Sequence, residues 1–290
     1  MGRLAYLFAG QGAQAVGMAS ELQEHCRVKP LFEMAESIRP GILEMMFEGP
    51  REDLSQTIWT QPAMFLADLA YAYAREEETG TPSAVCGFSV GEVPALCFAG
   101  VLSEEAAFRA ILRRAELMEE YTGRVQGGMI AVIGLAPDAV CALCDNKKTH
   151  PANFNSAMQT VVACALDSQE AFVEKVKEAG GRAVLLQVSG MFHCPELEPE
   201  ANAFAEFLRT LTFCKPRMDV YANLTAEPYG KKIVETLSRQ MCSPVLFTQT
   251  VENMRAAGVE EFIEVGPGKV LTNLINTKPK AKSKLKSKTR

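Results

Sequence analysis

The chain has 290 residues, 48% of them hydrophobic, and a formal net charge of −5. That composition supports a sizeable buried core and excludes a chain disordered throughout. No run of about 18 apolar residues occurs, which excludes a helical membrane span.

Charge is unevenly spread. The last 13 residues, Lys278 to Arg290, carry seven basic residues and no acid, leaving −12 on the remainder. Such a tail, 278–290, cannot build a core and is expected to be disordered and solvated rather than bound to nucleic acid or a membrane. The opening Met1-Gly-Arg-Leu-Ala-Tyr6 lacks the pattern of a secretory signal, and nine cysteines scattered through apolar segments read as reduced thiols. A cytoplasmic protein with no nucleic-acid and no membrane partner is therefore expected. Cys141-Ala-Leu-Cys144 lacks a second pair or neighbouring histidines, so it reads as two half-buried helix cysteines, and no metal site is expected.

In chain order, Arg3 to Phe8 is a strand candidate running into Ala9-Gly10-Gln11-Gly12-Ala13-Gln14, with helix signals from Met18 to Cys26. The turn could present backbone N–H groups to an anion or be a tight turn with no ligand; lacking a third glycine, it does not match a dinucleotide fingerprint. Residues 30–80 read as helices broken at Arg39-Pro40-Gly41 and Glu48-Gly49-Pro50, with Pro62 in the first turn of a helix over 63–75.

Gly87-Phe88-Ser89-Val90-Gly91 fits the G-x-S-x-G nucleophile elbow, between a strand over 83–86 and a helix over 90–102. The glycines would permit a sharp turn and close packing of helix on strand, and Ser89 would meet unpaired N–H groups at a helix N-terminus. An amphipathic helix follows over 103–121, with Phe108, Ile111, Leu112, Ala115 and Met118 on one face. Arg113, Arg114 and Arg124 cluster near its end, as solvated charges or as a substrate contact.

From Thr122 the rhythm changes to strand, helix, strand, strand, helix, strand, the βαββαβ order of a ferredoxin-like module. The organisation expected is a large α/β-hydrolase-like domain with a parallel sheet, 1–125 and 189–277, and an inserted ferredoxin-like subdomain, 126–188. Asn153 to Ser156 reads as an exposed polar turn that could face a cleft. Of the three histidines, His25 reads as the end of a surface helix and His150 as part of a turn. His193 follows the insert, either as the base that Ser89 needs or as a satisfied junction histidine. Strand candidates over 218–222 and 261–265 and helices over 230–242 and 248–257 complete the chain, with a short last helix ending at Asn276.

Six stretches in order, Phe8 to Gln14, Thr60-Gln61-Pro62-Ala63, Gly87 to Glu92, Gly190-Met191-Phe192-His193, Ser243-Pro244-Val245 and Glu264 to Lys269, resemble the malonyl-CoA:acyl carrier protein transacylase family. The resemblance implies a ping-pong acyltransferase. Malonyl-CoA, a coenzyme A thioester, acylates Ser89, and the phosphopantetheine thiol of an acyl carrier protein then takes the malonyl group for fatty acid or polyketide synthesis. It implies His193 as general base and acid, Gln11 and Val90 as N–H donors of an oxyanion hole, Gln61 as a cleft residue and Gln240 as the source of the oxygen that holds the imidazole. Arg114 would grip the free carboxylate, Phe192 fits malonyl-selecting members, and the basic rim for the carrier protein would lie around Arg113 and Arg124. No bound cofactor and a monomer are expected. Phe88 departs from the histidine usual in bacterial members, and Ala9 from the common proline. A thioesterase or esterase using the same serine and histidine is the alternative, and would want a side-chain acid and no carboxylate-binding arginine; a carrier-protein docking factor without activity is a third reading, which the intact Ser89 and His193 oppose.

Overall fold

The computed structural model describes residues 2–188 and 190–277; the basic tail 278–290 lies outside the described residues. Two four-stranded sheets organise the chain. The first contains β1 (Arg3–Phe8), β2 (Ala84–Gly87), β7 (Asp219–Tyr221) and β8 (Val259–Val265) in the order β7-β2-β1-β8, all parallel. Between β1 and β2 run α1 (Val28–Ile38), α2 (Ile42–Glu48), α3 (Arg51–Leu54) and α4 (Thr57–Thr79). After β2 come α5 (Glu92–Phe98) and α6 (Glu104–Thr122).

Alternation along β1 explains why the sheet is covered on both sides. Tyr6 and Phe8 point into the larger core with α4, α5 and α6, while Ala5 and Leu7 point into a smaller one with α11 (Phe247–Ala256) and α12 (Val270–Ile275). The amphipathic helix of 103–121 is present as α6, its N-terminus capped by Ser103 Oγ accepting from Ala106 N–H at 3.2 Å.

The second sheet contains β3 (Gly127–Ile133), β4 (Thr149–Ser156), β5 (Gln159–Ala165) and β6 (Arg182–Leu185) in the order β4-β5-β3-β6, all neighbours antiparallel. With α7 (Pro137–Leu143) and α8 (Gln169–Glu178) this is the βαββαβ pattern. One face packs on those helices through Ile130, Val132 and Val162; the other turns Met129, Ala131 and Val161 toward the large core. The sheets are stitched at Val245, whose N–H donates to Ala152 O at 2.8 Å and whose carbonyl accepts from Phe154 N–H at 2.9 Å. The Ser243-Pro244-Val245 stretch therefore extends the edge of β4. Between β7 and α11 lies α10 (Ile233–Arg239), and α9 (Glu198–Leu208) precedes β7.

Several expectations are corrected. Residues 18–26 form no α-helix; only Ser20–Leu22 make a 3-10 turn, because Ala19 takes a left-handed conformation (φ 58°) and gives its N–H to Tyr71 Oη at 3.0 Å. Pro62 lies inside α4, which starts five residues earlier, since burial of residues on both sides of the proline outweighs the one backbone bond it removes. Asn153 to Ser156 belongs to β4, and Asn153, Asn155 and Ser156 are buried: pairing with β5 on one edge and Val245 on the other encloses them. His150 too is a buried strand residue, bonded through Nε2 to Glu196 Oε1 at 2.9 Å, and His25 sits in a turn rather than a helix.

Strand β2 ends in the elbow, and sterics fix its glycines. A Cβ on Gly87 would lie 1.9 Å from the Gly91 carbonyl carbon, and one on Gly91 would lie 2.4 Å from the Phe8 carbonyl oxygen. Both contacts are with backbone, which has no flexible end to move aside. Gly87→Ala should therefore cost at least about 3 kcal/mol of stability in urea unfolding. The same change at Gly230, where a Cβ meets nothing within 4 Å, should stay within about 0.5 kcal/mol.

Candidate active site

Ser89 sits on the turn between β2 and α5 with φ 54°, a left-handed conformation that a non-glycine residue adopts at a cost. That turn lifts its hydroxyl off the sheet into a cavity of about 610 Å³ between the two sheets. Met129, Asn153 and Val161 of the second sheet line one side; Gln11, Phe88, Ser89 and His193 line the other.

Ser89 Oγ lies 2.6 Å from His193 Nε2. His193 is 3% exposed, and its Nδ1 is 2.9 Å from the Gln240 carbonyl oxygen. A carbonyl can only accept, so Nδ1 carries the proton and Nε2 presents its lone pair to the serine hydroxyl. Burial, then the positive charge of Arg114, lower the His193 pKa to about 4, against opposing hydrogen bonds to the backbone of Gln240 and Ser243. The imidazole is thus neutral at physiological pH.

Arg114 is fully buried. Its Nη1 donates to Gln61 Oε1 at 2.7 Å, and its Nη2 to Gln240 Oε1 at 3.0 Å and to Ser89 Oγ at 3.4 Å; its Nε has no partner among the described residues. Burial lowers its pKa to about 10, opposed by Glu92, so the guanidinium remains charged. Gln61 is itself held, Nε2 donating to Met118 Sδ at 3.1 Å. Gln11 borders the cavity, with Nε2 3.4 Å from Thr57 Oγ1. Among the described residues, no hydrogen bond occupies the backbone N–H of Gln11 or of Val90.

Ser89, His193, Arg114, Gln61 and Gln240 thus form one connected cluster, with Gln11 and Val90 beside it. Arg113 and Arg124 stand apart as ion pairs, Arg113 with Glu116 at 3.1 Å and Arg124 with Glu200. Sequence reasoning missed Glu92, Asn223 and Tyr229. Glu92 is fully buried beneath the serine, accepting from Tyr229 Oη, from Gln240 Nε2 at 3.0 Å and from Asn223 N–H at 3.2 Å. Burial raises its pKa to about 7 against those bonds and the Arg114 charge. Its place in Gly87 to Glu92 was a signal; Asn223 and Tyr229, in an unremarkable stretch of sequence, carried none.

The two departures have visible partners. Phe88 packs edge-on against Phe247 with ring centres 5.4 Å apart, and Ala9 donates its N–H to Val265 O at 3.2 Å, a bond proline could not make. Among the described residues one grouping of metal-type donors occurs, His25, Cys26 and Glu77. His25 Nδ1 accepts from Arg27 N–H at 3.3 Å, which leaves the proton on Nε2, facing Glu77 Oε1 at 3.2 Å. Cys141 and Cys144 are unpaired thiols, and burial raises both, Cys144 to about 12. No helix among the described residues is long and apolar enough to cross a membrane.

A parallel α/β sheet with a second antiparallel sheet over its strand ends, and between them a half-buried serine bonded to a buried histidine, defines an α/β enzyme of the acyl-transfer type. The chain belongs to the acyl transferase domain family, whose profile matches residues 5–289. It is 35% identical over 285 residues to the malonyl CoA-acyl carrier protein transacylase of Bacillus subtilis strain 168, a match covering 95% of this chain and 90% of that protein. An acyl carrier protein S-malonyltransferase from Vibrio cholerae superimposes with a TM-score of 0.87 at 39% identity, covering 94% of this chain and 92% of that one. PlMCAT:AntF (holo), a type II PKS acyl-carrier protein in complex with its malonyl-transacylase, matches with a TM-score of 0.89 at 34% identity, over 94% of this chain and 91% of that chain.

The electrostatics of His193 fix the pH dependence of any chemistry that needs its lone pair. A lowered pKa keeps the base neutral as pH falls from 6.5 toward 4, and protonation removes it only below that. The rate of Ser89 modification by a neutral serine-directed reagent should stay level from about pH 8 to about pH 5 and fall on an acid limb near the His193 pKa of about 4. A midpoint near 6.5 in stopped-flow or mass-resolved labelling would contradict the geometry.

Proposed function

We propose that this chain is a malonyl-CoA:acyl carrier protein S-malonyltransferase. The observation that carries the reading is a buried guanidinium, Arg114, 3.4 Å from the hydroxyl of a serine already bonded to a neutral imidazole. In the first half-reaction His193 Nε2 takes the Ser89 proton as Oγ attacks the thioester carbonyl of malonyl-CoA. The N–H groups of Gln11 and Val90 stabilise the oxyanion, the coenzyme A thiolate leaves with the proton from His193, and the malonyl group remains as a seryl ester. In the second half-reaction the phosphopantetheine thiol of an acyl carrier protein gives its proton to His193 and attacks the ester, and Ser89 recovers the proton. No metal or bound cofactor is needed for either step.

Arg114 selects the acyl group. A planar guanidinium binds a carboxylate through two parallel N–H bonds, and the malonyl carboxylate would displace the Gln61 and Gln240 amide oxygens that hold it in the free protein. An acetyl group offers nothing in return. Gln61 and Gln240 hold the guanidinium until substrate arrives, and the Gln240 carbonyl orients His193 in place of a side-chain acid. That same carbonyl, where a hydrolase of the alternative reading would use a carboxylate, favours transfer to a thiol over hydrolysis. The catalytic body would be 1–125 with 189–277 and the cavity's second wall the subdomain 126–188.

Incubation with malonyl-CoA should add one malonyl group to the intact protein, lost in Ser89→Ala; an adduct that persists in that variant would move the nucleophile elsewhere. Arg114→Ala should lower malonyl transfer by at least about 10²-fold while acetyl transfer falls far less or rises, measured as the ratio of kcat/KM for the two thioesters. Equal losses would remove the carboxylate contact.

A further inference from the structure

The conformation of Ser89 needs an explanation that glycine sterics do not supply. Gly87 and Gly91 allow the helix to approach the strand, but Ser89 itself carries a Cβ at φ 54°. A residue holds such a conformation only where its surroundings over-determine it. The ladder does not do this. Register between β2 and β7 ends at the pair Cys86↔Tyr221, and Gly87, the last residue of β2, and Ser89 lie beyond it.

The side chain of Asn223, two residues past the end of β7, continues where that ladder stops. Its Oδ1 accepts from Ser89 N–H at 2.8 Å, and its Nδ2 donates to the Gly87 carbonyl at 2.6 Å. One planar amide therefore grips the backbone on both sides of Phe88. The grip is rigid, because Asn223 is 1% exposed, its own N–H donates to Glu92 Oε2 at 3.2 Å and its carbonyl accepts from Leu246 N–H at 3.0 Å. Gln240 Nε2 closes the circuit, donating to the Ser89 carbonyl at 2.8 Å, to Glu92 Oε2 at 3.0 Å and to Asn223 Oδ1 at 3.2 Å.

We propose that Asn223 is a positioning residue for Ser89, a two-bond clamp that holds the serine in its left-handed turn with Oγ aimed at His193. The inference rests on the reading of Ser89 as nucleophile. It also gives the Ser89 N–H a fixed partner, so the elbow's donor to an oxyanion is the next N–H, that of Val90. Asparagine is the side chain that fits: one acceptor and one donor in a plane, matched to an N–H and a carbonyl two residues apart.

The test uses a fluorophosphonate reagent, which needs neither malonyl nor coenzyme A. Its phosphorus bonds to Ser89 Oγ, fluoride leaves, and His193 takes the hydroxyl proton. Labelling of the full chain is followed by intact mass beside circular dichroism and thermal melting. N223A should label about 10²-fold more slowly than wild type, the cost of a misplaced nucleophile. N223D keeps the acceptor for Ser89 N–H but, when ionised, loses the donor to Gly87 and sets a charge against that carbonyl and Glu92. It should be slow near pH 8 and approach wild type near pH 6, where protonation of the introduced carboxyl restores the donor; general loosening of the fold would not recover on acidification. A folded N223A labelling within about twofold of wild type overturns the clamp, and if N223A does not fold, wild-type labelling of N223D near pH 8 overturns it. Equal labelling of S89A and wild type overturns the nucleophile reading and the clamp with it, whereas labelling lost in S89A but unchanged in N223A overturns the clamp alone.

Discussion

A single buried positive charge organises the centre of this protein. Arg114 has no exposure to water, and an uncompensated charge there would cost several kcal/mol. The surrounding sequence answers that cost with oxygen atoms. Gln61 and Gln240 turn their amide oxygens to the guanidinium, and Glu92 supplies opposite charge from beneath the elbow. Fixing Gln240 in that sense fixes its other end. Its amide nitrogen must then face acceptors, and it meets three: the Ser89 carbonyl, Glu92 and Asn223. Its main-chain carbonyl meanwhile accepts a hydrogen bond from His193 Nδ1–H. Charge compensation for one residue thus braces the turn that carries the serine, while the main chain of the same Gln240 sets the tautomer of His193.

The steric constraint at the elbow works alongside this. Helix α5 can start immediately after β2 only because Gly87 and Gly91 lack side chains, and the resulting turn aims Ser89 away from the sheet. The cavity then needs its other wall, which comes from a sheet of different topology. Val245 bonds to β4 as if it were a neighbouring strand, so the wall is attached through main-chain bonds and not only through side-chain packing. Beside the cavity, where Val270 and Leu271 join its lining, the Glu264 to Lys269 stretch has a structural purpose. Glu264 accepts the N–H groups of Leu271 and Thr272 and caps α12, and Gly266 makes room for the buried Asp68, whose carboxylate oxygen would lie 2.3 Å from a Cβ there.

Most of the architecture was legible because it is written in short-range patterns. The strand-glycine-helix punctuation around Ser89, the 3.6-residue periodicity of α6 and the βαββαβ alternation each announce themselves locally. Ser89 and His193 were legible as chemistry, one from its flanking glycines and the other because the alternatives were few. What was not legible is what depends on burial. A helix with five acids and two adjacent arginines gives no sign that Arg114 alone of its arginines turns inward, since the rotation of α6 is set by contacts with α4 and α9. Residues 18–26 have helical composition but surrender their backbone to Tyr71. Asn153 and Asn155 look like a turn and are a strand, because the edge that buries them arrives ninety residues later with Val245. Asn223 acts through bonds to the main chain of Gly87 and Ser89, which no residue pattern advertises.

The proximity of Arg114 to His193 has a consequence for selectivity beyond the grip on a carboxylate. In the free protein the guanidinium charge is the second cause, after burial, of the lowered His193 pKa. A weak base is a poor one for removing a serine proton. On the proposed reading, malonyl-CoA brings a carboxylate against Arg114 and cancels part of that charge within the low-dielectric site. Pairing the guanidinium therefore raises the basicity of the imidazole at the moment a substrate is present. An acetyl thioester leaves the guanidinium on Gln61 and Gln240 with its charge uncancelled and the base at its weakest, so it is disfavoured in chemistry as well as in binding.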